Sequence, residues 1–199
     1  MVEKETEFQR LGRNKSTQIN KTYINSGEYR KKFELLSDSK ELNRLIYKLA
    51  KKMLKHRTGT EFEDMYWVDL DTLMVVAKEL NAKKIREVVY SDKTKKIVRK
   101  YKNDLTKRLL TIHTHPSSFP PSIPDFNANY ENEYNIGIVI CHDGKIFLYS
   151  ANEKLNENYY NLLVAKKLGQ GYNDYEARIN ALQEMQKAFA IMVKEVMDK

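Results

Sequence analysis

This chain has few cysteines, few prolines and no long apolar run, and each shortage excludes a class of protein. It contains 199 residues, with one cysteine, four prolines and seven glycines. The lone Cys141 cannot form an internal disulfide bond, and zinc fingers built on paired cysteines are excluded. No apolar run approaches the roughly 18 residues of a membrane span, so we expect no integral membrane protein. The stretch MVEKETEFQRLGRNK at the start lacks an apolar segment, so we expect no secretory signal and a cytoplasmic location.

The size and composition indicate a single folded domain. A mass of 23.5 kDa suffices for one compact core but is small for two full domains. Hydrophobic residues make up 41% of the chain and aromatic residues 11%, a composition too apolar for a wholly disordered protein.

Positive charge is concentrated in the N-terminal part of the chain, whose overall net charge is +8. Residues 1–60 carry 15 lysines or arginines and 7 acids, whereas residues 111–150 carry one lysine and four acids. A basic region of this kind can bind nucleic acid or an acidic partner, and it is equally typical of an ordinary solvated surface. The basic and aromatic pattern of the known nucleic-acid modules is missing.

The hydrophobic pattern switches between helical and strand spacing, which predicts an α/β fold. Asp38 and Glu41 resemble a capping box at the start of a helix. The Asp143-Gly144 pair is typical of a hairpin turn. The predicted strands cover residues 65–70, 73–77, 86–90, 109–113, 136–141 and 145–149, and the predicted helices cover 38–57, 92–102, 159–168 and 174–196.

These patterns divide the chain into three predicted segments. Residues 1–37 show no clear period, so we expect a basic arm or linker there. Residues 38–150 hold all the predicted strands and form the predicted domain. Residues 151–199 are predicted to be helical and to pack on that domain or on a partner.

The most distinctive stretch, residues 113–125, reads HTHPSSFPPSIPD. Residues two apart in a strand point to the same side, so the imidazoles of His113 and His115 can face one point. The prolines, all between 116 and 124, stiffen the loop that follows and lower the entropy cost of placing Asp125. Two neutral imidazoles and one carboxylate suit Zn²⁺ and leave a fourth position for water. An HxH pair alone is weak evidence, but the preceding strand and the SxxD spacing strengthen the metal interpretation.

The pair of motifs, HTHP at 113–116 and SIPD at 122–125, resembles the HxHP and SxxD signature of the JAMM (MPN+) zinc metalloproteases. The spacer between them is one residue shorter than in the common form of that family. The resemblance covers about residues 40–150. It implies a mixed β-sheet flanked by helices, of the MPN/JAB and cytidine-deaminase-like architecture, to which the C-terminal helices are an addition.

The same resemblance implies roles for individual residues. It places zinc on His113, His115 and Asp125, and it gives Ser122 the role of stabilising the oxyanion. In the family, a glutamate on an earlier strand activates the water that attacks the substrate.

Two glutamates, Glu61 and Glu63, precede the first predicted strand and are candidates for that base. The bacterial RadC branch of the superfamily has a glutamate, an aromatic-rich strand and an Asp-Thr turn, and residues 63–72 look similar. On that likeness we assign Glu63 as the general base, with Glu61 as the alternative. The two are two residues apart and would point the same way in an extended strand, so spacing alone cannot distinguish them. The alternative to a catalytic role is that both are solvated residues at the entry to a strand.

The resemblance implies a zinc-dependent metallopeptidase that hydrolyses an amide or isopeptide bond in a protein or peptide. The sequence does not name the substrate. The candidates are a ubiquitin-like protein, for which the chain shows no recognition element, and a phage structural protein, because residues 19–33 and 53–67 are also similar to phage head-morphogenesis and mobile-element proteins. Two alternatives stay open. One is a non-catalytic MPN-type assembly module, and the other is a RadC-like protein that binds nucleic acid through the basic N-terminal region.

Overall fold

The computed structural model describes residues 17–104 and 106–197, and these fold around one β-sheet. None of the described helices is long and apolar enough to cross a membrane. In chain order the elements are α1 (Lys21–Ile24), α2 (Gly27–Glu34), α3 (Lys40–Arg57), β1 (Met65–Asp69), β2 (Met74–Glu79), α4 (Asp92–Lys102), β3 (Leu109–His115), α5 (Ile123–Glu131), β4 (Ile136–Cys141), β5 (Ile146–Ala151), α6 (Glu157–Gly169), α7 (Asp174–Ala188) and β6 (Ile191–Glu195).

The sheet has six strands in the order β2-β1-β3-β4-β5-β6. Strands β3 and β4 are parallel, and the other four neighbouring pairs are antiparallel. The prediction of an α/β fold with a mixed sheet flanked by helices is therefore confirmed. All seven residues of β3 are buried, because β1 and β4 pair with its two edges and helices cover both faces.

Helices pack on both faces of the sheet and bury one apolar cluster on the first face and two on the second. On one face, side chains of β1, β3, β4 and β5 pack against the first three helices. On the other face, β4, β5 and β6 pack against α5, α6 and α7, and β1 and β2 pack against α4. The site described below lies on this second face.

Helix α3 begins one residue later than the sequence pattern indicated. Its N-cap is Ser39, whose hydroxyl accepts a hydrogen bond from the Leu42 N–H at 3.2 Å. The predicted capping box on Asp38 is therefore wrong. Serine and aspartate cap helices about equally well, so residue type alone does not decide between neighbours, and the backbone conformation on entry does.

Residues 17–37 are not an arm or linker, which corrects the prediction for that part of the chain. They include α1 and α2, whose side chains Ile24, Tyr29 and Phe33 are at most 1% exposed. The two helices have only four and eight residues, too few to show a helical period in the sequence. Residues 1–16 of the predicted arm lie outside the described residues.

The predicted strand over residues 86–90 is wrong. Arg86 has a positive φ of 55°, and the segment makes a single isolated bridge between Lys84 and Glu87 instead of a ladder. The alternating apolar residues of this segment still have a packing role, since the Tyr90 ring lies edge-on to Trp67 at 4.9 Å between centroids. The alternation of apolar residues in this segment therefore reflects which side chains pack on the core, and it does not indicate a strand.

The predicted C-terminal helix over 174–196 is also wrong, over its last eight residues. Helix α7 ends at Ala188, and Phe189 takes an extended conformation. Strand β6 then pairs antiparallel with β5, from Ala151 opposite Ile191 to Phe147 opposite Glu195. Part of the C-terminal segment, predicted to be helical and to pack on the domain or on a partner, is thus an edge strand of the protein's own sheet.

Candidate metal centre

The site is built at the C-terminal end of β3, the central strand. His113 and His115 lie two residues apart on this strand, so they share one face of the sheet, as the sequence predicts. His113 is 3% exposed and His115 8% exposed. The pairing of β3 with β4 continues to Cys141, and this holds the strand end inside the protein.

The two imidazoles and the carboxylate of Asp125 converge. The Nε2 atoms of His113 and His115 are 3.1 Å apart. Asp125 Oδ1 lies 3.4 Å from His113 Nε2, and Asp125 Oδ2 lies 3.4 Å from His115 Nε2. In a tetrahedral zinc site with bonds of about 2.05 Å, the ligand atoms are separated by roughly 3.3 Å. The observed separations are close to that value.

Glu63 is the glutamate that reaches this cluster. It offers a carboxylate oxygen that lies within 4.8 Å of ligand nitrogens of both His113 and His115. Its position follows from the antiparallel pairing of β1 with β3, where Met65 lies opposite His113. The Thr114 N–H donates to the Asp64 carbonyl at 3.1 Å, so the pairing of the two chain segments continues one residue beyond β1. Glu63 therefore lies beside His115.

Glu61, the alternative base, is directed elsewhere. Its Oε1 lies 3.3 Å from Nη2 of Arg86 in a partly exposed ion pair. The sequence pattern indicated that two glutamates two residues apart would point the same way in a strand. Regular strand structure begins only at Met65, so that alternation does not apply to residues 61–64.

Ser122 and Asp125 are joined by a capping box at the start of α5, a helix that the sequence analysis missed. The Ser122 hydroxyl and the Ser122 N–H both donate to Asp125 Oδ2 at 2.7 Å. In return, the Asp125 N–H donates to Ser122 Oγ at 3.3 Å. The S-x-x-D spacing with proline in the first turn is itself a helix-start signal, so the helix could have been found. The helix positions Asp125 rigidly against the two histidines.

A backbone carbonyl orients one of the imidazoles. His115 Nδ1 lies 3.1 Å from the Phe119 carbonyl, which can only accept, so Nδ1 carries the proton. In the neutral imidazole that tautomer leaves a lone pair on Nε2, the atom facing the cluster, as metal-binding histidines require. Nδ1 of His113 is buried without a hydrogen-bond partner among the described residues, and the ring of Tyr149 lies edge-on at 6.2 Å between centroids.

The carboxylates and imidazoles perturb one another strongly. Burial raises the pKa of Glu63, and the two histidines only partly oppose this effect. Burial acts to lower the pKa of His115, but the hydrogen bond to Asp125 and the charge of Glu63 outweigh it and raise that pKa to about 9. Burial acts to raise the pKa of Asp125, but the histidines hold it well below its usual range. The two carboxylates thus favour a cation between them.

Glu63, His113 and His115 therefore form a buried group that could hold a metal ion. The donor set is two imidazole nitrogens plus carboxylate oxygens, which suits a divalent transition metal better than calcium or magnesium. Asp125 stands beside the same two nitrogens and can supply a further carboxylate ligand.

A small cavity of about 200 Å³ opens beside the cluster. Glu63, His115 and Asp125 form part of its wall. The 119–121 turn and Arg178 also line it, and the Arg178 guanidinium lies over the Phe119 ring at 4.5 Å from the centroid. A cavity of this volume is far smaller than a folded domain.

Comparisons with known proteins do not assign a family. No family model, no curated protein and no solved structure matches this chain. The function must accordingly be inferred from the site itself, through the chemistry of its side chains and their geometry.

Two other histidines and the cysteine lie outside this cluster. His142, which its place before the Asp143-Gly144 turn predicts to be exposed, is instead 1% exposed, and its Nδ1 lies 2.7 Å from the Thr17 carbonyl. His56, predicted as a solvated residue at the end of α3, is exposed, and its Nδ1 lies 2.7 Å from Asp64 Oδ2. Cys141, at the end of a strand predicted to be buried, is buried. None of these three is part of the metal-binding group formed by the described residues.

Proposed function

We propose that this protein is a zinc-dependent metallopeptidase of the JAMM type, which hydrolyses an amide or isopeptide bond in a protein or peptide. The observation that carries the proposal is the convergence of two imidazoles and two carboxylates at the end of one buried strand. The HxHP and SxxD motifs that resemble the JAMM signature supply all of these groups except Glu63.

In this proposal His113, His115 and Asp125 hold the ion, and zinc when bound supplies Lewis acidity that activates water near neutral pH. The orientation of His115 by the Phe119 carbonyl and of Asp125 by Ser122 holds two of the three proposed ligands in place. Such preorganisation lowers the cost of binding, because the ligands need little further ordering.

Glu63 is the proposed general base. Glu63 precedes β1, whereas the two histidines lie on β3, and its carboxylate reaches the cluster from that neighbouring segment. Glu63 also lines the small cavity, so it can face a water molecule that enters there. It would take a proton from that water at a carboxylate oxygen and pass the proton to the leaving amine nitrogen. Burial of Glu63 keeps bulk water from competing for that proton.

Ser122 is proposed to steady the oxyanion formed from the substrate carbonyl, as the family resemblance implies. In the structure its hydroxyl donates to Asp125, and its first role is to position that carboxylate. To serve the oxyanion the hydroxyl must rotate, while the Ser122 N–H continues to hold Asp125 Oδ2 at 2.7 Å.

Metal content and hydrolysis test the proposal together. The purified protein should contain about one zinc per chain, and His113→Ala and Asp125→Ala should each lose most of it. Glu63→Gln should retain zinc and lose hydrolysis of a peptide library, whereas the matched control Glu61→Gln should retain both. Equal zinc in all variants would contradict the metal site, and full hydrolysis by Glu63→Gln would contradict the assigned base.

The assembly-module alternative makes a different prediction. If Glu63→Gln binds zinc, cleaves nothing and still supports the biological role, for example phage or mobile-element assembly, the site is structural. The nucleic-acid alternative requires DNA affinity that falls steeply between low and moderate salt. The cytoplasmic location proposed from the sequence is compatible with each of these functions.

A further inference from the structure

Strand β2 forms an open edge of the sheet. Its hydrogen-bonded neighbour is β1, and no other described strand pairs with it. Met74 is 64% exposed and Val75 37% exposed, so apolar side chains accompany the open edge. An exposed edge strand presents unpaired N–H and C=O groups, which is a template for pairing with another extended chain.

A groove runs along this edge between α3 and α4, and we refer to it as the edge groove. Its volume is about 690 Å³. Its floor is aliphatic, formed mainly by Leu45 and Leu49 of α3, residues 75–77 of β2 and Ile97 of α4. Tyr66 also lines the groove, and its buried hydroxyl has no hydrogen-bond partner among the described residues. The edge groove shares no lining residue with the cavity at the metal centre.

The edge groove carries positive charge on all sides. The lining of the groove contains no acidic residue. Four exposed lysines line it: Lys48, Lys52, Lys78 and Lys93. None of the four lies within ion-pair distance of an acid in the described part of the chain. The nearby carboxylate of Glu79 is occupied by Ser91 and Thr94.

These features select one kind of occupant. A second copy of this chain would bring four more lysines to the same place, and like charges would repel it. A single-stranded nucleic acid binds largely by stacking its bases on exposed aromatic rings, but Tyr66 is 3% exposed and the rest of the floor is aliphatic. A phosphate backbone would also leave this aliphatic floor without apolar contacts. An extended peptide that alternates acidic and aliphatic side chains matches both the floor and the rim.

We propose that the edge groove binds an acidic, extended segment of a partner protein, which adds to the sheet beside β2 as a further strand. Main-chain hydrogen bonds to β2 supply affinity. Alternate side chains of the added strand point to opposite faces of the sheet, so its aliphatic side chains face Ile97 of α4 and its acidic side chains face Lys48 and Lys52 of α3. This docking is independent of zinc, because the groove and the metal centre are separate.

The test uses the full chain and a fluorescent, end-blocked peptide that alternates glutamate with valine, with fluorescence anisotropy as the readout. The variant Lys48→Gln/Lys52→Gln should bind about fivefold more weakly, since each exposed charge pair contributes a modest amount. The matched control Arg44→Gln/Lys51→Gln removes the same charge from the same helix outside the groove and should bind within about twofold of the unmodified protein. Equal losses in both variants, or no binding to the unmodified protein, would overturn the proposal.

A second pair of probes separates strand addition from simple charge attraction. A peptide with alternate backbone amides methylated keeps its charge but loses one edge of donors, and we expect it to bind at least about tenfold more weakly. Hydrogen exchange should slow at residues 74–79 when the unmodified peptide binds. Equal binding of the methylated peptide would refute strand addition, and displacement by single-stranded DNA at lower concentration than by free peptide would favour a nucleic-acid surface instead.

Discussion

The substitution Asp64→Asn should destabilise the protein by about 3 kcal/mol, because it removes one partner of a buried ion pair. Arg57 Nε lies 2.6 Å from Asp64 Oδ1, and both side chains are 1% exposed. His56 Nδ1 lies 2.7 Å from the other carboxylate oxygen. This network joins the last turn of α3 to the segment that enters β1.

The expected cost arises mainly from the guanidinium that stays buried. Arg57 also donates to the Leu80 carbonyl at 2.6 Å, which keeps it in place after the substitution. Loss of one partner from a buried pair costs about 3–5 kcal/mol, whereas replacement of both by apolar residues of similar size is often close to neutral. We expect a cost at the low end of this range, because the Leu80 carbonyl still accepts a hydrogen bond from the Arg57 guanidinium.

Urea unfolding monitored by circular dichroism measures this difference. The double variant Arg57→Met/Asp64→Leu should recover at least about half of the loss, since no charge is then left buried. A loss below about 1 kcal/mol for Asp64→Asn, or a double variant less stable than the single one, would refute the reasoning.

Three further predictions follow from individual contacts. Burial acts to raise the pKa of Asp69, but hydrogen bonds from Tyr101, at 2.6 Å, and from the following turn outweigh it and lower that pKa. The ionised Asp69 carboxylate therefore stabilises the fold above its unfolded pKa of about 3.9, and this stabilisation is lost as pH falls through its lower pKa in the folded protein. Asp69→Asn should accordingly flatten the dependence of the unfolding free energy on pH below about pH 4. Gly137→Ala should cost about 1–3 kcal/mol in thermal unfolding, because the added methyl would overlap the Tyr149 ring. An unchanged melting temperature would contradict that packing. Ser122→Ala should cost about 1 kcal/mol through the lost N-cap and weaken zinc binding at least about tenfold in a chelator competition, whereas Ser122→Thr should preserve both.

The sequence predicted those parts of the fold whose pattern is long or whose turn chemistry is specific. Helix α3 has eighteen residues and an apolar face, and β4 and β5 flank an Asp-Gly turn, so each is found close to its predicted position. The short helices α1 and α2 were missed, because a helix of two turns or fewer shows no period. Residues 189–196 were assigned to a helix, because their apolar spacing also fits a helical stripe and only pairing with β5 makes them a strand.

For the candidate site, the sequence alone determined the chemistry: two imidazoles on one side of a strand, and an acid held three residues after a serine. The local periods of strand and helix are properties of adjacent residues, so they can be read from the chain. Tertiary structure decided the choice of Glu63 over Glu61, the orientation of His115 by the Phe119 carbonyl and the open edge at β2. Each of these depends on which distant segments pair or pack together, and no local pattern carries that information.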